Sequence, residues 1–486
     1  MLPTIATGNV GSALAGEYEV ANSLRFDDGS SDYLNRTPSS AGNRRTWTFS
    51  AWVKKCMPLT GGNQRLIACG SGTGGLFSSI EYDSSDRIRI LEGTEGGSSS
   101  VTVRGAGFNR DPSAWQHVVV KYDSTQGTAA DRIEIYLNGV EVTYDSTTYP
   151  SSNKDSEFNN NVVHTIGATS VGSSVGSFFD GYMAEVVLID GQALDPTSFG
   201  EFDEDSPTIW KPKNVSGLTF GTNGFYLDFE NSGSLGADVS GNGNNFTVNN
   251  LTSVDQCTDT CTNNFATLNP LTNTRGTSQN FKEGNLQIDG TGSGAGASAS
   301  TISTSTSGKY YIECKIDSLG SGYAEFFAIA TSSYANHTLG YFETNTDTIL
   351  WNLDYRSGQS KIRKDGSSII TTPTSFSNGD IIGMAIDVDN GKIYFHRNGT
   401  YVNYSGTQNP SSGSNGITLP TSSDGYLIAA SVDNNSGSGT TLTMNFGSPS
   451  FNISSGNSDG NGYGNFEYSV PSGYYSLCTK NLAEFG

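Results

Sequence analysis

Two stretches of this chain, roughly 260 residues apart, encode the same pair of antiparallel strands. Residues 379–400 read GDIIGMAIDVDNGKIYFHRNGT, and residues 115–143 read WQHVVVKYDSTQGTAADRIEIYLNGVEVT. In both, apolar residues alternate with small or polar ones, which is the period of a β-strand with one buried face and one small or wet face. Each stretch reverses at an Asn-Gly pair, at residues 398–399 and 138–139, and both residue types tolerate the positive φ of a tight hairpin. The repetition predicts two related all-β domains in tandem.

Composition limits both the fold and the partners. A length of 486 residues exceeds what one hydrophobic core supports, so two or three domains are expected. Glycine accounts for 60 residues and hydrophobic residues for 34%, a profile typical of short strands joined by polar turns. The formal charge of −21 repels phosphate groups, so we expect no nucleic acid partner and no binding to anionic membranes.

The start of the chain and its cysteines indicate the compartment. MLPTIATGNVGSALAGEYEVANSL has neither a positive start nor a sustained apolar core, so no secretory signal is expected. No run reaches the ~20 apolar residues of a membrane span, so no membrane insertion is expected. Six cysteines are few for this length and predict no disulfide framework in a cytosolic protein. Cys257 and Cys261, in CTDTC, leave two alternatives open, a local disulfide or a metal pair.

The strand and turn pattern divides the chain into five segments. We predict an N-terminal docking arm at 1–19, a β domain at 20–205, an ordered Gly/Asn-rich connector at 206–255, a second β domain at 256–455 and an aromatic tail at 456–486. The one helical candidate outside the arm is the short segment DPTSFGEFD.

Both β domains resemble known families. Residues 20–205 resemble the laminin-G-like, concanavalin-A-type jelly roll in the ordered series FSAWVK, WQHVVVKYD, IYLNG and FDGYMAEVVLIDGQAL. The second domain resembles the SPRY (B30.2-like) domain in GKYYIECKI, GDIIGMAIDVDNGKIYFHRNG and NFGSPSF. These resemblances imply an all-β fold of two tandem concanavalin-A-like and SPRY-like antiparallel β-sandwiches after a short N-terminal arm. They also imply binding through loops.

Concanavalin-type sandwiches include glycoside hydrolases, which use two carboxyl groups roughly 5 to 9.5 Å apart. The nearest match is EFDED, with Glu201, Asp203 and Asp205, at a place where the resemblance implies a turn. A solvated acidic surface is the competing interpretation. The chain has no His-Glu-x-x-His motif, and His117 and His164 fall inside apolar strands. We therefore predict no catalytic residues, no organic cofactor and no enzymatic activity.

Two clusters of oxygen-bearing side chains are candidates for Ca²⁺. In DVSGNGNNF the ligands would be Asp238, Ser240 and Asn242. Asn249 stands at the twelfth position, where an EF-hand loop has a bidentate acid, and a turn formed by Asn and Gly explains the segment equally well. The second cluster comprises Asp27, Asp28 and Asp32.

Sugar binding needs an exposed aromatic face beside groups that hydrogen-bond to hydroxyls. Three tryptophans, Trp47, Trp52 and Trp115, lie in strand patterns and are expected in the core. Tyrosines in predicted loops are better placed, and the ligand-binding candidates are Tyr334, Tyr355 and Tyr401.

The segments FYLDFENSGSLGADVSGNGNNFT, DQCTDTCTNNFATLNPL and PSGYYSLCTKNL resemble structural proteins of marine tailed bacteriophages. The resemblance implies a protein made in the host bacterial cytoplasm and assembled into a virion as a homo-oligomer, with residues 1–19 bound to other virion proteins. It favours a tail-fibre or receptor-binding component that binds host-surface glycans. The alternatives are a capsid decoration or head-fibre protein and a polysaccharide depolymerase.

Overall fold

The structure is a computed structural model, which describes residues 18–58, 61–72, 74–94, 96–169, 175–272, 279–290, 294–320, 323–331, 346–354, 359–372, 376–434 and 439–486. Its contacts divide the chain between Thr262 and Asn263 into two compact units, called here the first and the second unit. The predicted all-β fold class is confirmed, because each unit is built from two large antiparallel sheets.

Among its described residues the first unit contains eighteen strands: β1 Ser23–Phe26, β2 Tyr33–Arg36, β3 Thr46–Lys55, β4 Gln64–Gly70, β5 Leu76–Tyr82, β6 Ile88–Thr94, β7 Ser99–Gly105, β8 Gln116–Asp123, β9 Ile133–Leu137, β10 Val140–Glu141, β11 Tyr144–Thr148, β12 Val163–Ile166, β13 Gly181–Asp190, β14 Gly200–Phe202, β15 Trp210–Pro212, β16 Phe225–Leu227, β17 Thr247–Asn249 and β18 Gln256–Cys257. One sheet has the order β10-β9-β8-β3-β13-β1-β18 with β16 on β13, and the other β11-β7-β6-β5-β4-β12-β2-β17. Strands β14 and β15 pair separately.

The part of the second unit that the structure describes contains fourteen strands: β19 Gln279–Lys282, β20 Gln287–Gly290, β21 Gly294–Ala299, β22 Lys309–Ser318, β23 Tyr323–Ala330, β24 Thr348–Asp354, β25 Gln359–Lys364, β26 Ser367–Thr372, β27 Ile381–Asp387, β28 Lys392–Arg397, β29 Thr400–Tyr401, β30 Ile417–Thr418, β31 Tyr426–Asn434 and β32 Thr441–Asn445. Its sheets have the orders β19-β20-β32-β22-β27-β28-β29, with β30 on β28, and β21-β31-β23-β24-β25-β26.

The two predicted hairpins are confirmed. Asn138 and Gly139 have φ of 48° and 76°, and Asn398 and Gly399 have φ of 49° and 76°. Positive φ at both central positions is the geometry that matches the twist of paired strands. Each asparagine also ties the turn to the neighbouring strand, because its Oδ1 accepts a hydrogen bond from a backbone N–H there, 2.8 Å away in both units.

The sandwich cores lie between the sheets, as alternation predicts. In the first unit, Leu24 and Phe49 from one sheet pack in the same buried cluster as Ile67 and Ile90 from the other. In the second unit, the Trp351 ring of β24 meets the Phe395 ring of β28 across the sheets at 5.8 Å between centroids. Trp47, Trp52 and Trp115 are buried, as expected.

The second face of β27 is small at Gly383 and Ala385, as expected, but it is not open to solvent, because all seven residues of the strand are buried. Aromatic side chains of the tail cover this face: Phe466 and Tyr474 pack in one cluster with Ala385. Alternation in sequence identified the face but not the distant segment that covers it.

The segment predicted as a connector, residues 206–255, adds strands β15, β16 and β17 to the first unit. Strand β18, predicted to open the second domain, pairs with β1. Two ion pairs fix this region: Arg25 to Asp255 and Lys54 to Asp259, each at 2.8 Å. The first unit therefore extends to Thr262, beyond the predicted boundary at residue 255.

Helical structure is sparse among the described residues. The helical turn expected in DPTSFGEFD is a 3₁₀ turn at Pro196–Ser198, followed directly by β14. The α-helix α1, Thr479–Phe485, ends the tail and was not predicted from the sequence. In the parts of the chain that the structure covers, no helix has the length and apolar character needed to cross a membrane.

Candidate functional site

A groove of about 560 Å³ opens on the second unit beside the Asn-Gly hairpin. Three segments line it: residues 399–401 of the hairpin, residues 407–411 and residues 469–472 of the tail. These lining residues carry hydroxyl, amide and apolar groups and no charged side chain. In a chain with a formal charge of −21, such a surface favours a neutral, polar ligand.

Local sequence explains how the walls form. Gly399 is required in the hairpin wall, because a Cβ there would lie 2.9 Å from the Tyr468 ring and φ is positive. Pro410 begins a 3₁₀ turn. Asn409 caps the start of this turn, because its side-chain oxygen accepts a hydrogen bond from the Ser412 N–H at 3.1 Å. Gly413 ends that turn with φ of 72°.

Gln408 and Tyr401 are two of the lining residues that are not exposed, and they are called here the floor of the groove. Gln408 is only 2% exposed, and its Oε1 accepts a hydrogen bond from the Phe395 N–H at 2.8 Å. Tyr401 is half-buried, with its ring edge-on to His396 at 5.1 Å between centroids. Burial, followed by the nearby Glu313 charge, raises the pKa of Tyr401, so its hydroxyl stays protonated.

A buried hydrogen-bond network of three side chains, His396, Tyr311 and Glu313, lies next to the floor. The Gly399 N–H donates to His396 Nδ1 at 3.2 Å, which assigns the proton of the neutral ring to Nε2. His396 Nε2 then donates to the Tyr311 hydroxyl at 2.7 Å, and that hydroxyl donates to Glu313 Oε1 at 2.9 Å. Glu313 also accepts hydrogen bonds from the backbone N–H groups of Glu467 and Tyr468 at 2.9 and 2.8 Å. The buried network therefore anchors the tail, which forms one wall of the groove.

His396 and Glu313 of this buried network predict how the stability of the second unit changes with pH. Burial lowers the pKa of His396 to about 4 and raises the pKa of Glu313 to about 7, from ordinary values of 6.5 and 4.5. Between pH 7 and pH 5, His396 binds fewer protons in the folded protein than in the unfolded protein, so acidification removes about 2 kcal/mol of stability through this residue. Glu313 binds more protons in the folded protein, so acidification adds about 2 kcal/mol through it. Replacing Glu313 by Gln leaves only the histidine effect. Denaturant unfolding should therefore show E313Q losing about 2 kcal/mol more than wild type on acidification to pH 5.

The control for that experiment is E484Q, which alters an exposed glutamate of α1 and should follow the wild-type pH curve. The comparison uses the change with pH, so a constant loss of stability in E313Q does not affect it. Parallel curves for E313Q and wild type would show that Glu313 ionises normally in the folded unit.

The structure places one of the three candidate ligand-binding tyrosines in the groove. Tyr401 lies on the short strand β29 and not in an open loop, because it pairs with His396 of β28. Tyr334 and Tyr355 lie outside the described residues.

The loop proposed for Ca²⁺ uses its oxygen atoms internally. Asp238 accepts backbone N–H bonds from Tyr226 and Ser240, both at 2.9 Å, and from Asn244 at 2.7 Å. Asn242 turns its side-chain amide toward the carbonyls of Gly221 and Gly224. The oxygens of Asp238 and Ser240 thus cap the turn, and a calcium site formed by Asp238, Ser240 and Asn242 stays a prediction.

The other acidic cluster is also a capped turn. Asp32 Oδ2 accepts from the Asp27 N–H at 3.0 Å, and Asp27 Oδ2 accepts from the Ser30 hydroxyl at 2.9 Å. Burial, followed by the Asp27 charge, raises the pKa of Asp28. Within the described ranges, no three His, Cys, Asp or Glu side chains are grouped as metal ligands. Cys257 and Cys261 are both buried, and each keeps its thiol instead of forming a disulfide.

The carboxylates considered for hydrolysis are held by lysines. Glu201 lies 3.7 Å from Lys213, and Asp203 lies 3.3 Å from Lys211. The pKa of Asp203 is lowered, and the largest cause is the hydrogen bond that its carboxylate accepts from the Ser206 backbone N–H. A general acid needs a raised pKa, so the arrangement does not favour glycoside hydrolysis by this pair.

The two strand histidines are core groups. His117 lies between the Trp52 and Trp210 rings and accepts a hydrogen bond from Trp210 Nε1 at 3.0 Å. Burial lowers the pKa of His117 to about 3 and of His164 to about 4, so both are neutral near pH 7.

Sequence reasoning named Tyr401 but missed the rest of the groove, including Gln408. One signal was available. Residues 398–423 contain no Asp, Glu, Lys or Arg, and are rich in Ser, Thr, Asn and Tyr. In a chain as acidic as this one, an uncharged polar run of this length indicates a surface whose contact with water does not depend on charged side chains.

Residues 28–198, about a third of the chain, match the family described as the concanavalin A-like lectin/glucanases superfamily. Among curated protein sequences, none matches this chain.

Several solved structures overlap with parts of the chain. The SAP-like pentraxin from Limulus polyphemus is 13% identical over 37% of this chain and 80% of its own, with a TM-score of 0.28. The SPRY domain of human HERC1 is 16% identical over 36% and 96%, with a TM-score of 0.25. The carbohydrate-binding module CBM66 from Bacillus subtilis is 14% identical over 32% and 82%, with a TM-score of 0.20. Identities and TM-scores this low give no information about what this chain binds.

Proposed function

We propose that this protein is a glycan-binding surface component of a bacteriophage virion, of the tail-fibre or receptor-binding kind, and that the groove of the second unit takes the glycan. The observation that carries the binding proposal is the groove itself. A tyrosine, two prolines and a valine offer apolar contact, while threonine, serine, asparagine and glutamine side chains offer hydrogen bonds to hydroxyls.

The chemistry of the lining supports binding without turnover. Hydrolysis of a glycosidic bond by the usual mechanism requires two carboxyl groups at the ligand, and the groove lining contributes none. The carboxyl group beside the floor, that of Glu313, is buried and engaged by four donors from the second unit: Tyr311, Asn445, Glu467 and Tyr468. A binding protein is therefore the better supported proposal than a depolymerase.

The family match supports the same class of ligand for the first unit. Its matched residues, 28–198, belong to a sandwich type that includes lectins. The virion setting rests on the segment resemblances, such as DQCTDTCTNNFATLNPL. Binding of residues 1–19 to other virion proteins, with several copies assembled, would turn weak sites into firm attachment, because linked sites gain roughly 10² to 10⁴ fold in avidity.

The test uses purified full-length protein and whole particles. Wild type should bind neutral glycans on an array, and the soluble protein should compete with phage adsorption to host cells. Antibody labelling of particles should place the chain on the tail. A protein spread over the capsid that binds no glycan would overturn the proposal in favour of capsid decoration, and release of reducing ends that stops in the double variant E201Q/D203N would favour the depolymerase.

A further inference from the structure

Two polar atoms in the floor of the groove lack hydrogen-bond partners. Within the part of the chain that the structure describes, neither Gln408 Nε2 nor Tyr401 Oη has one, and both atoms are buried. Leaving a buried donor unpaired costs about 1–3 kcal/mol, so the great majority of buried polar groups in folded proteins are paired. The hydroxyls of Tyr394 and Tyr474, in the cluster that Tyr401 packs against, are also unpaired within the described residues, but of these four residues only Gln408 and Tyr401 line the groove, where a ligand can supply the missing partner.

The chemical character of the Gln408 atom is fixed by its other bonds. Gln408 Oε1 faces the Phe395 N–H, which can only donate, so the amide cannot be flipped. The Gln408 backbone N–H also donates to the Val402 carbonyl at 2.9 Å, which holds the residue in place. Nε2 is therefore a fixed donor that requires an acceptor oxygen.

The Tyr401 hydroxyl contrasts with its neighbour in the same cluster. The Tyr311 hydroxyl joins His396 and Glu313 and is part of the anchor for the tail. The Tyr401 hydroxyl makes no such bond within the described residues. Because both atoms are buried, a ligand reaches them only if the Tyr401 side chain turns, and Tyr401 is the partly exposed one of the two residues.

We propose that Gln408 and Tyr401 determine the specificity of the groove, and that its ligand is an uncharged saccharide that presents an acceptor oxygen to Gln408 Nε2. This inference rests on the proposed function, since it names the class of glycan that the groove takes. The lining holds no lysine or arginine to pair with a carboxylate or sulfate. An acidic sugar would lose hydration there without gaining a counter-charge, so it is rejected.

Calorimetric titration of the full-length protein tests this with three trisaccharides: chitotriose and maltotriose, which are neutral, and trigalacturonate, which is acidic. Y401F removes only the unpaired hydroxyl, and Q408E replaces the donor nitrogen by oxygen while keeping the acceptor for Phe395. Q408E is measured at pH 8, because burial raises the pKa of a glutamate. Y404F is the matched control, since Tyr404 is 40% exposed and does not line the groove.

We expect wild type to bind a neutral trisaccharide and not trigalacturonate, and both floor variants to weaken that binding at least tenfold. Y404F should bind as wild type does. Y401F should unfold at the temperature of wild type or slightly above it, because the hydroxyl that it removes has no partner within the described residues, and this variant stays informative if Q408E fails to fold. Neutral binding that neither floor variant changes, or tighter binding of trigalacturonate, overturns this inference and leaves the proposed function standing. No binding of any glycan by the wild type, on the array or in solution, overturns both.

Discussion

Replacing Asp259 by Ala is expected to destabilise the first unit by about 3–5 kcal/mol. Asp259 Oδ2 lies 2.8 Å from Lys54 Nζ, and both side chains are almost fully buried, at 2% and 1% exposed. Asp259 Oδ1 also accepts a hydrogen bond from Trp115 Nε1 at 3.0 Å. Removing the carboxylate leaves a buried ammonium beside an apolar methyl group, and the loss is measured by denaturant unfolding of the full chain.

The matched control is D155A, which removes an aspartate paired with Arg45 at 2.7 Å where both side chains are nearly half exposed. Exposed pairs contribute about 0–1 kcal/mol, so D155A should unfold almost as wild type does. The double variant K54M/D259L should recover part of the loss, because it removes both buried charges. Equal effects of D259A and D155A would contradict the assignment of residues 256–262 to the first unit's interior.

Replacing Asp459 by Ala is expected to destabilise the second unit by about 3–5 kcal/mol and to loosen the tail. Asp459 is buried and accepts five hydrogen bonds. Three of them come from Ser476 N–H, Ser476 Oγ and Asn481 Nδ2, at 2.7 to 2.9 Å. The loss removes the acceptor of the buried Ser476 N–H and one of the three acceptors of Asn481 Nδ2, so amide exchange at Ser476 and along α1 should accelerate.

D424A is the control for D459A, because Asp424 is exposed and accepts a hydrogen bond from the Ser423 hydroxyl at 2.7 Å, also exposed. A change of less than about 0.5 kcal/mol is expected there. Since residues 469–472 form one wall of the groove, D459A should also abolish glycan binding. Unchanged exchange in the tail of D459A would show that the aromatic contacts of Phe466 and Tyr474 hold it without this carboxylate.

Local features of the fold were predictable because they depend on neighbouring residues. An Asn-Gly pair between alternating strands specifies its turn within a few residues, and both hairpins formed as expected. The domain boundary was not predictable in this way. Lys54 and Asp259 are separated by 205 positions, and neither residue alone shows that it will be buried against the other.

The groove illustrates the same limit. Its lining comes from three segments, residues 399–401, 407–411 and 469–472, and the last of these belongs to the tail, so the groove forms only after the tail has packed. Tyr401 was found because tyrosine after a turn is a reasonable sugar contact. Gln408 was missed because its unpaired amide nitrogen is a property of the folded contacts, in particular of the bond between its oxygen and the Phe395 N–H.

The most direct test of the central claim is a crystal structure of the full-length protein soaked with a neutral trisaccharide that binds in solution. We predict density for the sugar between residues 399–401 and 469–472, with an acceptor oxygen within hydrogen-bond distance of Gln408 Nε2 and the Tyr401 ring turned from its present position. A sugar bound on the first unit, with the groove of the second unit unchanged, would contradict the account.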